Sequence, residues 1–178
     1  MDGLVSYSLP IKGLHNGAHV FVFHVDETFF RHFECSPIGA AAIELTLTLD
    51  KRPGLMTLDF EFSGTIKTEC DRCLAPIHLP VADHRVLVVK YSEEAEAEDA
   101  DVIYIHPEAS SLDVSVYVYE LIVLSLPMIK VYDCSGENPP VCDSEMLRFL
   151  EQQSDASSDA ADEENPVWKN LKDLYDKA

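Results

Sequence analysis

The sequence predicts an α+β domain: mainly an antiparallel β-sheet, arranged as a meander or partial barrel, with one packed helix and a C-terminal helix on a disordered acidic tether. Three observations lead there. The stretch "IELTLTLDKRPGLMTLDFEF" alternates Ile43, Leu45, Leu47 and Leu49 with Glu44, Thr46 and Thr48, then Met56, Leu58, Phe60 and Phe62 with Thr57, Asp59 and Glu61. A period of two on both sides of Pro53 and Gly54 describes two half-buried strands joined by a turn. The stretch "LDVSVYVYELIVLSLP" is longer than the usual strand of about 5–6 residues and sets Val114, Tyr117, Val118, Leu121, Ile122 and Ser125 at helical spacing. Finally, "SDASSDAADEE" is small, polar and acidic, a composition that cannot bury enough apolar surface to fold.

The remaining elements follow in chain order. "HVFVFHVD" is a strand, and "DETFFRHF" is a helical turn or loop that sends Phe29, Phe30 and Phe33 inward. After the paired strands, "GTIKTEC" begins a third strand at Gly64 and runs into a cysteine turn, and "RVLVVKY" returns as the next strand. Residues 92–101, "SEEAEAEDAD", hold six acids and no base, so they form a solvated loop before "VIYI" resumes an extended pattern. Asp113 is placed to cap the following helix, and Pro127 stops it. "SEMLRFLEQQ" is a short helix. In the last segment, Asn165 and Pro166 open a helix whose stripe is Val167, Trp168, Leu171, Leu174 and Tyr175. The expected organisation is one domain over 1–150 with its acidic loop at 92–101, an acidic linker over 151–164, and an amphipathic helix over 165–178.

Charge narrows the function. Lys and Arg total 13 against 32 Asp and Glu, a formal net charge of -19 in 178 residues. Such a field repels nucleic-acid phosphates and anionic membranes over most of the surface and favours a basic protein partner. "MDGLVSYSLPIKG" has no charged leader before an apolar core, and no apolar run approaches the roughly 20 residues that span a bilayer. A cytoplasmic protein with no membrane contact is expected. The apolar stripe of Val167, Trp168, Leu171 and Leu174 needs a surface to cover it, and a partner is one candidate.

Chemistry concentrates in "TECDRC". Cys70 and Cys73 stand three positions apart, and such a turn can point both sulfurs the same way, as one half of a tetrahedral zinc site. "YDCSGENPPVCDS" offers Cys134 and Cys142 for the other half, with seven residues between them in a loop containing Gly and Pro. Four thiolates would make a closed structural site with no position left for water. A redox couple is the rival reading of Cys70 and Cys73, although Pro76 and Pro80 argue against the helix such a couple needs. Two unrelated pairs of packed thiols is the plainest alternative. Cys35 has no neighbouring cysteine and reads as a small core residue.

No catalytic constellation stands out. The seven histidines are scattered, and "HNGAH", with His15 and His19 four apart, lacks the glutamate of a zinc-protease helix and reads as a turn. Glycines occur singly, so no phosphate-cradling loop is present, and no small-molecule substrate is expected. The only locally basic area is around the cysteine turn, where Lys67, Arg72 and Arg85 occur among Glu69, Asp71 and Asp83. A solvated strand face explains it as well as an RNA-facing patch does.

Three features then fall in order: "TECDRCLAPI", "LDVSVYVYELIVLSLP", and the terminal "NPVWKNLKDL". In that order, from about residue 40 to the end, the chain resembles the YceD family, large-subunit ribosomal RNA accumulation proteins of bacteria and plastids. The resemblance implies a non-enzymatic role in ribosome biogenesis, through a basic ribosomal protein or a large-subunit precursor. It also implies metal binding: Cys70 and Cys73 match the family's cysteine turn, and Cys134 and Cys142 fall where many members carry further cysteines. One structural zinc is the implied cofactor. The alternative is a metal-stabilised protein that contacts ribosomal RNA through Lys67, Arg72 and Arg85.

Overall fold

A computed structural model describes residues 5–93, 101–132 and 141–159. Its elements are β1 (Ser8–Pro10), β2 (Gly17–Asp26), α1 (Glu27–Phe30), β3 (Ala41–Arg52), β4 (Leu55–Glu69), β5 (Pro76–Tyr91), β6 (Val102–Ile105), β7 (Ser111–Asp113), α2 (Ser115–Leu124) and α3 (Ser144–Asp159). The fold class is the one expected. The main sheet is open rather than barrel-like, with strand order β2-β3-β4-β5-β6; the first four strands form an antiparallel meander and β6 adds parallel to β5. β1 and β7 make a separate short antiparallel ribbon.

Alternation of side chains decides which face of the sheet is covered. Leu45, Leu47 and Leu49 of β3, Met56, Leu58, Phe60 and Phe62 of β4, and Val81, Leu87 and Val89 of β5 point to one side and are buried. There they join Val114, Val118, Leu121 and Ile122 from α2 and its cap, Phe29 and Phe30 of α1, and Leu9 and Leu112 of the small ribbon. The opposite face is open to solvent. It carries Glu44, Thr46, Thr48 and Asp50 from β3 beside Thr57, Asp59, Glu61 and Ser63 from β4. This one-sided burial is what an antiparallel sheet with strictly alternating polarity dictates.

Two strands run further than their local signals suggest. "GTIKTEC" is not a third strand but the second half of β4, which passes straight through Gly64. A Cβ there would lie 2.2 Å from the carbonyl oxygen of Ala42 and 2.6 Å from Cα of Ile43, so glycine permits a close approach of β3 instead of breaking the strand. β5 likewise starts at Pro76 and includes Pro80, before the "RVLVVKY" run. β6 pairs with β5 only from Val88 onward, leaving residues 76–87 as an edge where a missing N–H is tolerated.

The helices start where side-chain oxygens can take their first N–H groups. Asp26 Oδ1 accepts from Thr28 N at 2.9 Å, Asp113 Oδ1 from Ser115 N at 2.9 Å, and Asp143 Oδ1 from Glu145 N at 2.9 Å and Met146 N at 3.2 Å. α3 extends beyond "SEMLRFLEQQ" to Asp159, into the stretch expected as linker. The acidic loop at 94–100, the rest of the linker and the segment 165–178 lie outside the described residues.

Candidate metal centre at the cysteine turn

The turn between β4 and β5 spans residues 70–75 and is closed by its own backbone. Cys70 N donates to Ala75 O at 2.9 Å, and Leu74 N donates to Cys70 O at 2.8 Å. Leu74 has φ of +60°, the left-handed region that side chains with a Cβ avoid. It follows the second cysteine directly. The turn therefore doubles back tightly enough to aim both sulfurs inward: Cys70 and Cys73 are free thiols, each 1% exposed.

They form a small core of their own, apart from the main one. Cys70, Cys73, Ala75 and Ile77 are packed by Tyr132, Cys142, Met146 and Leu147. The chain after α2 is pinned to the turn through Asp71: its N–H donates to Lys130 O at 2.8 Å, its Oδ2 accepts from Lys130 N at 2.7 Å, and Lys130 Nζ lies 3.8 Å from Oδ1. That clamp brings Tyr132 to the sulfur of Cys70. Nothing in the sequence pattern marks Lys130 as a partner; the acid in the middle of "CDRC" was the one available sign. The start of α3, held by Asp143, closes the other side with Met146 and Leu147.

Electrostatically, Cys70 sits in a donor-rich pocket. Burial pushes its thiol up, but the backbone N–H groups of Tyr132, Arg72 and Cys73, with the Cys73 side chain, more than offset this and bring it down to about 7. N–H groups aimed at a sulfur favour its thiolate form. Two buried sulfurs on one closed turn fit one half of a tetrathiolate zinc site.

Of the two cysteines expected to complete it, Cys142 packs against the small core of Cys70, Cys73, Ala75 and Ile77, and it is disulfide-bonded in this structure, so holding a metal there would require its reduction. Cys134 lies outside the described residues. Among the described residues, no group of three or more His, Cys, Asp or Glu is disposed to hold a metal ion. Cys35 is exposed, not a core residue as its sequence suggests, with φ of +57° in the loop after α1. The turn expected at "HNGAH" covers only its start: His15 precedes β2 and His19 lies within it, with His19 Nε2 2.9 Å from the carbonyl oxygen of His15.

The basic residues do not converge. Lys67 is on the open face of β4, opposite His78, and beside the turn it lines a depression of about 440 Å³ with Leu74 and Lys130. Arg72 is exposed on the turn itself. Arg85 pairs with Phe60 in register, so it projects from the other face of the sheet, and its Nε donates to Asp83 Oδ2 at 3.0 Å. The stripe of Val167, Trp168, Leu171 and Leu174 lies outside the described residues. Among those residues, no helix is long and apolar enough to cross a membrane.

Comparison with curated proteins and with solved structures returns no match. A family model does match, described as "Large ribosomal RNA subunit accumulation protein YceD", over residues 58–175. The match begins within β4, later than the resemblance suggests, and takes in the cysteine turn, α2, α3 and the terminal segment. With about two thirds of its length matched, the chain belongs to the YceD family.

Proposed function

We propose that this protein is a non-enzymatic factor of the cytoplasm that supports accumulation of large-subunit ribosomal RNA by binding a basic ribosomal protein or a large-subunit precursor. The family match, spanning the cysteine turn and the terminal segment, carries this reading, since the family is named for that role. Charge supports the choice of partner. The open face of the sheet presents Glu44, Asp50, Asp59 and Glu61, and the whole chain has a net charge of -19, which attracts a cationic protein and repels bare phosphate. Arg85 projects from the face of the sheet opposite to Lys67, which favours this reading over direct RNA binding through Lys67, Arg72 and Arg85.

In the same reading the cysteine turn is structural. With Cys142 reduced, Cys70, Cys73, Cys142 and Cys134 would hold one zinc ion. The ion would tie the β4–β5 turn to the loop after α2 and supply no catalysis. Loss of the protein from its own cell is expected to lower the ratio of large-subunit to small-subunit ribosomal RNA. Reintroducing the wild-type chain restores it, and the chain co-sediments with large-subunit precursors through contacts that survive nuclease treatment. An unchanged ratio overturns the proposed role; co-sedimentation abolished by nuclease overturns the protein partner in favour of RNA.

A further inference from the structure

The two edges of the main sheet are built differently. On one side β6 is four residues long, and the rest of that edge, residues 76–87 of β5, is interrupted by Pro76 and Pro80 and carries His84 and Arg85. β2 has ten residues, and among the described residues no strand pairs with its outer side. Native edges of that length are ordinarily guarded by lysine, proline, a bulge or an inward charge. β2 has little of this: from Gly17 to Val25 it contains no Asp, Glu, Lys, Arg or Pro, and its one charged residue, Asp26, stands at its end, in a chain where 32 residues are acidic. Apart from His19 and His24, its side chains from Ala18 to Val25 are apolar. Val20 and Val22 are 63% and 56% exposed on the open face, and Phe21 and Phe23 are only partly buried on the covered one.

We infer that the β2 edge pairs with β2 of a second copy of this chain, antiparallel across a two-fold axis at Val22, joining the two sheets into one. Phenylalanine flanks that residue on both sides, at Phe21 and Phe23. A two-fold pairing sets Val22 opposite its own mate, Phe21 opposite Phe23, Val20 opposite His24, His19 opposite Val25 and Ala18 opposite Asp26. Asp26 is the one carboxylate among these pairs and it faces an alanine, so no like charges face each other. An isologous interface needs this kind of self-complementary surface. A cationic partner has no carboxylate to seek between Gly17 and Val25, so the second copy fits this edge better than the basic protein that suits the open face.

The seam is neutral while each copy carries a net charge of -19, which dictates an unusual salt response. Repulsion between the copies is screened as ionic strength rises, with a Debye length of about 8 Å near physiological salt, so added salt tightens the dimer. The test is sedimentation equilibrium of the full chain under reducing conditions, at low and physiological salt. The comparison variants are Val20→Lys with Val22→Lys, which alter only exposed side chains. The wild type is expected at twice the monomer mass, more completely at higher salt, and the double variant at the monomer mass with an unchanged circular-dichroism spectrum. In a Cys35→Ser background, Val22→Cys is expected to form an intermolecular disulfide on mild oxidation, whereas Ala18→Cys does not. A monomeric wild type at tens of micromolar in both salts overturns the inference. So does a dimer indifferent to the double variant, or a cross-link at position 18 but not 22.

Discussion

Leu74 is the residue at which sequence and local geometry disagree most. A left-handed φ costs a residue with a Cβ about 1–2 kcal/mol, and glycine would escape this cost. Its side chain is 59% exposed, so little burial compensates. Glycine loses about 0.5–1 kcal/mol through the freedom of its unfolded chain. The net expectation for Leu74→Gly is a gain of about 0.5–1 kcal/mol, read as a higher urea midpoint at unchanged slope. A loss of more than about 1 kcal/mol would mean that the leucine side chain holds the turn closed by packing. The cysteine spacing made this turn legible, because two thiols three apart constrain the backbone between them. Leu74 left no trace, since nothing in "CLAP" announces a positive φ. The Asp71–Lys130 clamp was equally hidden, being a contact between residues 59 positions apart.

At the level of elements, alternation was the dependable guide and punctuation the misleading one. The period-two pattern of β3 and β4 predicted both the strands and the face they bury, and Asp113 does supply the first N–H acceptor of α2. Gly64 looked like a boundary because glycine is a breaker in isolation, yet β4 passes through it, and Pro76 and Pro80, read as arguing against a helix, lie within strand β5. Gly64 meets a neighbouring backbone, and the prolines occupy an unpaired edge. The physical reason makes a prediction. Gly64→Val drives a Cβ into Ala42 and Ile43 and should cost about 2–3 kcal/mol, seen as a lower melting temperature with the same fold by circular dichroism. Unchanged stability would mean that β3 and β4 separate there at no cost.

For the whole molecule, the structure separates two kinds of surface that the net charge alone does not distinguish. Acidic residues lie on the open face of the sheet and the uncharged stretch lies on its β2 edge, so the proposed basic partner and the proposed second copy need not compete. The cysteine turn sits at the far end of β4, joined to the segment after α2 and to the start of α3. These are three elements distant in sequence and without a large shared core, the kind of junction that the proposed zinc would hold. The spacing of Cys70 and Cys73 marked the turn, whereas among the described residues no third metal ligand joins them; the terminal stripe led by Trp168 lies outside those residues. The most direct test is the metal content of untagged, full-length protein purified under reducing conditions without added metal, beside the Cys70→Ser plus Cys73→Ser variant. The account predicts about one zinc per chain in the wild type and none in the variant. Metal-free wild-type protein whose five cysteines all titrate as thiols after reduction and denaturation would contradict it.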